Sequence, residues 1–218
     1  MTGLLALAAC SQPAQHQAEQ TPLPPPVQTD APAGAYTLDP AHGSLIFRVE
    51  HMGFSRFTAR FAHWDAELNL DPAHPEAASV TATIDPASIQ SDNPPAGFIE
   101  MLAGPEWLDT RDFPRMTFRS TRVERTGADT ARVVGDLSFH GQTHPVTLNV
   151  KFNGGYPGMA LDPHARIGFS ANGVLSRSQF GLAVGLPPAG TKFGVGDQVA
   201  FEIEAELSGP AWRPPSAS

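Results

Sequence analysis

The stretch from Val133 to Phe152, VVGDLSFHGQTHPVTLNVKF, constrains the fold more than any other part of the 218-residue chain. Apolar residues alternate through Val133, Leu137 and Phe139, then again through Val146, Leu148, Val150 and Phe152. A polar break, His140-Gly141-Gln142-Thr143-His144-Pro145, separates the two runs. Period-two alternation on either side of a Gly- and Pro-containing break predicts a β-hairpin with one apolar and one polar face. One hairpin is marginal in water, so its apolar row must face a packed core or a cavity.

The same alternation recurs along the chain. Leu45, Phe47, Val49 and His51 share one strand face, with Ser44, Ile46, Arg48 and Glu50 on the other. Phe57, Ala59 and Phe61 follow, and the parity then changes to Ala66, Leu68 and Leu70. That change predicts a bulge near His63-Trp64, where an extra residue re-aims the strand. Val80, Ala82 and Ile84, then Met116 and Phe118, then Ile167, Phe169 and Ala171 continue the pattern. The strictest run is Val199, Phe201, Ile203, Ala205 and Leu207, interleaved with three glutamates.

Asn93-Pro94-Pro95 offers an N-cap followed by proline in a first helical turn. Phe98, Ile99 and Leu102 come next at a spacing that shares a helix face, so a short helix or aromatic-packed loop through Trp107-Leu108 is expected over an opening. Counting these segments gives about eight strands and one short helix, an all-β chain that closes into a barrel or splits into a sandwich. Eight antiparallel strands close around room for side chains or one ligand. Phenylalanine, with 13 copies, supplies most of the aromatic residues and carries no polar handle, which suits a dry interior.

A net charge of −8 argues against nucleic acid, whose phosphates need a basic patch. No run approaches the roughly 20 apolar residues that span a bilayer. The single cysteine, Cys10, rules out a disulfide framework or a Cys-based metal site. It ends the run Leu4-Leu5-Ala6-Leu7-Ala8-Ala9, so residues 1–10 are expected to be the end of a signal peptide. Leu7-Ala8-Ala9-Cys10 resembles the lipobox of bacterial lipoproteins, in which the cysteine is lipidated. The apolar run is short and no Lys or Arg precedes it, which fits a start codon placed too far downstream. The expected location is the bacterial periplasm, with Cys10 anchored to a membrane. Residues 11–35, rich in Gln, Pro, Ala and Thr, are expected to form a disordered tether. Residues 36–209 form the domain, and 210–218 a loose tail.

No Gly-x-Ser-x-Gly elbow, no His-Glu-x-x-His and no usable Cys/His pair occurs. The eight histidines have no metal-site spacing, since His140 and His144 flank a turn instead of sharing a helix face. Neither catalytic nor metal-binding residues, nor a cofactor, are therefore assigned. A metal-dependent enzyme, and a scaffold with a solidly packed barrel, stand as alternatives from other functional classes.

Six stretches taken in order resemble the polyisoprenoid-binding YceI-like family of bacterial envelope proteins. They are YTLDPAHGSLIFRVEHMGFSRF (from Tyr36), IDPASI (from Ile84), FPRMTFRST (from Phe113), VGDLSFHGQTHPVTL (from Val134), RIGFSANGVLSRSQFGL (from Arg166) and VGDQV (from Val195). The resemblance implies an eight-stranded antiparallel up-and-down barrel of extended lipocalin type, holding an isoprenoid or similar lipid without performing chemistry on it. The expected lipid-lined interior comprises Phe47, Val49, His51, Phe57, Phe61, Phe98, Ile99, Leu102, Phe118, Leu137, Phe139, Phe169 and Phe180. His51 would bond a polar head, or else be a core histidine bonded to a neighbouring strand. Arg177, within the family's motif, would grip a phosphate or carboxylate head, or else pair with Asp39 or Asp136. The family usually has a basic residue where His140 and His144 stand, and often Leu-Lys/Arg-Ser where this chain has Met101-Leu102-Ala103-Gly104. Both departures are expected near the mouth. Expected partners are the lipid and the membrane anchor, with a homodimer left open.

Overall fold

Alternation of apolar and polar residues sets ten strands and one short helix in the computed structural model, which describes residues 22–214. In chain order these are β1 (Gly34–His51), β2 (Ser55–Phe61), β3 (Trp64–Leu70), β4 (Ser79–Ile84), β5 (Ile89–Gln90), α1 (Phe98–Ala103), β6 (Met116–Arg125), β7 (Thr130–Phe139), β8 (Gln142–Tyr156), β9 (His164–Ser176) and β10 (Val195–Ala211). Neighbours pair antiparallel in the order β10-β9-β8-β7-β6-β4-β3-β1, and β1 pairs back onto β10, closing the barrel. β2 and β3 are two halves of one bent strand: β1 pairs with β3 through Gly34–Thr37 and with β2 through Leu45–His51. Counted as one, and with the two-residue β5 a short addition at the edge of β2, they make an eight-stranded antiparallel barrel with one short helix, the strand number that alternation predicts and the closure that the resemblance implies.

The bend falls where the parity change requires it. Phe57 and Phe61 face inward before the break; Trp64, Ala66, Leu68 and Leu70 face inward after it. At the break the Ala62 amide donates to Ser88 O at 3.1 Å, and the Asp85 amide donates to His63 O at 3.0 Å. The backbone groups released from the ladder are thus satisfied locally.

The β7–β8 hairpin turns on His140 and Gly141, with φ of 50° and 72°. Two consecutive positive φ values are those of the two-residue turn that suits strand twist. The polar break is therefore shorter than expected: Gln142 to Pro145 already belong to β8, and Pro145 stands opposite Asp136. Both apolar rows of the hairpin face the interior. Gly135 fills the gap in that row, because a Cβ there would lie 2.4 Å from Phe118 Cζ. Gly173 does the same beneath Phe201, also at 2.4 Å.

Three expectations at the segment ends are corrected. The helix does not start on Asn93-Pro94-Pro95; its N-cap is Gly97, at φ 75°, and Asn93 sits at φ 48°. Two prolines in succession keep the preceding residues out of helical geometry. Residues 22–33 have no regular secondary structure, but they do not form a free tether. The Val27 amide donates to Ala128 O at 3.0 Å, Thr29 Oγ1 to Gly155 O at 3.1 Å, and Tyr36 Oη to Pro32 O at 2.5 Å, while Arg125 donates to Pro24 O. Ala31 is 5% exposed. Composition alone asks whether a segment can build its own core; here the barrel supplies the surface, and a proline-rich strap has little entropy to lose in lying on it. The start of the expected loose tail is also tied, since β10 runs to Ala211 and the Trp212 amide donates to Pro163 O at 2.8 Å, while residues 215–218 lie outside the described residues. The expected signal peptide, Cys10 and residues 11–21 lie outside the described residues.

Candidate functional site

The barrel interior holds a cavity of about 910 Å³. All ten strands put apolar side chains into its wall, from Leu45, Phe47 and Val49 on β1 round to Val199, Phe201 and Ile203 on β10. Among the described residues, the polar side chains of the wall are confined to the two ends. One end has His51, Ser55, Ser91, Asp92, Asn93 and Arg177; the other has Thr29, Ser79, Arg125, Asp129 and Thr130. The middle is hydrocarbon. Such a wall offers no partner to a polar group, whose burial without one costs at least roughly 1–3 kcal/mol.

An aromatic series leads toward the first end. Phe47 stacks on Phe61 with centroids 5.3 Å apart, meets Phe57 edge-on at 6.4 Å, and Phe57 meets Phe98 of α1 at 5.5 Å. Helix α1 is positioned by its apolar face: Phe98 and Leu102 look into the cavity, and Leu102 packs with Ala59 and Ile89. Ile99 does not line the cavity. It is turned about 100° round the helix from Phe98 and packs beside β2 and β5.

Arg177 starts a 3-10 turn that ends at Phe180 and is only 5% exposed. Its Nε donates to Gly196 O at 2.9 Å, Nη1 to Leu182 O at 2.6 Å and Nη2 to Val195 O at 2.8 Å. Its Cζ lies 5.8 Å from the Trp107 ring centre. Burial pushes its pKa down, with Asp197 opposing that shift; a guanidinium starts so high that the cation persists at neutral pH. Three of its five N–H groups are used by main-chain carbonyls, leaving one on each terminal nitrogen. Among the described residues no carboxylate pairs with it, which corrects the expected alternative with Asp39 or Asp136. Asp39 is taken by Arg166, 2.7 Å away, and that contact, His42 and the Ala41 amide lower its pKa to about 2.

The same cluster answers the question of a metal. Asp39, His42 and Glu206 converge, but Arg166 Nη1 binds both Asp39 and Glu206, the latter at 3.2 Å. A cation already occupies the centre of the group.

With cavity and wall described, the comparisons with known proteins decide the family. A YceI-like domain model matches residues 36–207. The chain belongs to the YceI-like family. A UPF0312 protein of Vibrio cholerae is 34% identical over 158 residues, covering 71% of this chain and 80% of that one. A UPF0312 protein of Pseudomonas putida is 34% identical over 156 residues, covering 70% and 78%. The barrel is similar to Burkholderia cenocepacia BcnA, at a TM-score of 0.65 and 22% identity over 78% of this chain and 98% of that one. It is also similar to a polyisoprenoid binding domain from Saccharophagus degradans implicated in plant cell wall breakdown, at a TM-score of 0.58 and 14% identity over 82% and 99%.

Within this YceI-like barrel, the expected interior residues Phe47, Val49, His51, Phe57, Phe61, Phe98, Leu102, Phe118, Leu137, Phe139 and Phe169 line the cavity. Phe180 does not. It is 0% exposed, held under Phe139 at 5.7 Å and edge-on to His144 at 5.2 Å. His140 and His144 are likewise no part of the wall. His140 Nδ1 lies 3.1 Å from Phe180 O and its ring 4.5 Å from that of Phe113, so the two histidines clasp the Arg177–Phe180 turn against the hairpin. His51 is an exposed residue at the cavity's end, not a core histidine. Among the residues left out of the expected wall are Leu148, Val150, Phe152 and Ile203, which the alternation names as inward once the parity of each strand is followed to its end. Pro26, Val27 and Thr29 of the strap carried no such signal.

Proposed function

We propose that this YceI-like protein binds a long-chain amphiphile of isoprenoid type in the barrel, with its anionic or polar head at Arg177 and His51, and performs no chemistry on it. The carrying observation is the distribution of polarity: a hydrocarbon middle, with polar side chains at the ends alone. Taking roughly 30 Å³ per non-hydrogen atom, the share a water molecule has in its liquid, the cavity accommodates a chain of roughly 30 carbons. The polyisoprenoid binding described for the Saccharophagus neighbour supports the same ligand class. The two remaining N–H groups of Arg177, one on each terminal nitrogen, are charged donors of the kind a phosphate or carboxylate accepts. We place the protein in the bacterial envelope, carried by the Cys10 anchor and needing no cofactor. A solidly packed scaffold barrel is disfavoured by the cavity itself.

Lipid extracted from the purified protein and identified by mass spectrometry tests the ligand. An isoprenoid or comparable amphiphile near one per chain is expected. A lipid-free protein that also takes up no isoprenoid on incubation sinks the reading. For the anchor, Cys10→Ser is expected to release the domain into the soluble fraction.

A further inference from the structure

The end of the barrel that holds Arg177 carries two phenylalanines that no core claims. Phe54, at the tip of the β1–β2 turn, is 80% exposed, and Phe193, in the loop before β10, is 64% exposed. Their rings stand edge-to-face with centroids 6.3 Å apart. The two loops are fastened together beneath the rings: the Met52 amide donates to Gly194 O at 2.7 Å, and Lys192 lies against Gly53. Each ring is next to the cavity wall along the chain. Phe54 falls between His51 and Ser55, and Phe193 two residues before Val195, all three in the wall.

We propose that Phe54 and Phe193 form an insertion tip that seats this end of the barrel on a phospholipid bilayer, placing the cavity beside the membrane. The size of the patch decides between a bilayer and a protein partner. Two phenylalanine side chains bury roughly 300–500 Å² if fully covered, short of the ~600 Å² per partner at which stable protein interfaces begin. A bilayer needs no matching surface: apolar rings carried on a loop enter the boundary between head groups and acyl chains unaided. The exposed cation Lys192, adjacent to Phe193, suits the phosphate layer that surrounds such a ring. Amphiphile transfer at this end rests on the reading of the interior above; the seating itself does not.

The test uses the full chain carrying Cys10→Ser, so that no acyl anchor contributes, and its sedimentation with vesicles of phosphatidylcholine and phosphatidylglycerol. Vesicle binding is expected, falling by about tenfold or more in Phe54→Ser/Phe193→Ser. Leu161→Ser, which removes a 94% exposed side chain in the β8–β9 connection, is expected to leave binding unchanged. Equal binding by the double variant, no binding by its parent, or a dimer that the double variant dissociates overturns the proposal. Lipid content is measured on the same preparations. A lipid-filled barrel that ignores vesicles defeats the seating alone; an empty barrel that binds them defeats the interior reading alone.

Discussion

The two ends of the cavity are each held by an arginine, and they use it differently. Arg177 is buried and ties the carbonyl of Leu182 to those of Val195 and Gly196 at the start of β10. Arg125 is half-exposed and reaches the strap at Pro24 and its own turn at Gly127 O, 3.3 Å away. At one end the guanidinium holds a preformed site; at the other it holds a detachable cover. The cost of losing each follows from how much water can replace it. Main-chain carbonyls around Arg177, one buried and two part-buried, have less solvent to turn to than those around Arg125.

The largest expected effect is therefore Arg177→Met. One buried and two part-buried carbonyls lose their donor, and a loss of roughly 2–4 kcal/mol is expected in urea unfolding, at about 1–3 kcal/mol for each group less the relief of a buried charge. A loss under about 1 kcal/mol would mean that desolvating the cation cancels its bonds, and the contrast between the ends would fail. Tyr36→Phe comes next. Tyr36 is 1% exposed and its hydroxyl holds Pro32 O, so about 1 kcal/mol is expected from one hydrogen bond, with the strap loosened while the Arg177 end keeps its protection. Arg125→Ala should cost less than ~1 kcal/mol, yet hydrogen exchange at the Val27 amide should quicken, since the strap opens locally without the barrel unfolding. If that amide exchanges no faster, Arg125 does not hold the cover.

The smallest effect is a pH dependence near the strap. The folded Asp39 carboxyl titrates at about 2, below its ordinary 3.8. A depressed carboxyl contributes stability that is complete above the ordinary value and lost as pH falls through the folded one. Acid titration should show this contribution vanishing between about pH 4 and 2, and added salt should shrink it because the site is partly open to solvent. Asp39→Asn should erase that component while leaving the Arg177 end untouched.

What the sequence disclosed follows the same division. Strand parity is a property of local spacing, so the strands, the apolar rows of the hairpin and the bend between Phe61 and Trp64 could be read from alternation, while closure into a barrel came from the family resemblance. Phe180 could not, because it sits in a 3-10 turn where period two means nothing; its burial depends on His140 and His144 from a distant hairpin. The strap escaped for a related reason. Pro26, Val27 and Thr29 acquire a role only from a surface that the rest of the chain builds. Arg177 stood out through the family's motif, but its partners are carbonyls, and carbonyls leave no trace in a side-chain pattern.

The pairing of β1 with β10 also sets how the protein reaches this state. Phe47 must meet Phe201 across nearly the whole domain before the wall is continuous. Pairings so far apart in sequence are slow to form, since loop entropy is lost before contacts compensate it. Until that last seam closes there is an open sheet with a greasy face and no compartment. Enclosure is thus an all-or-none event at the end of folding, and a hydrocarbon chain present at that moment would be trapped as the seam shuts.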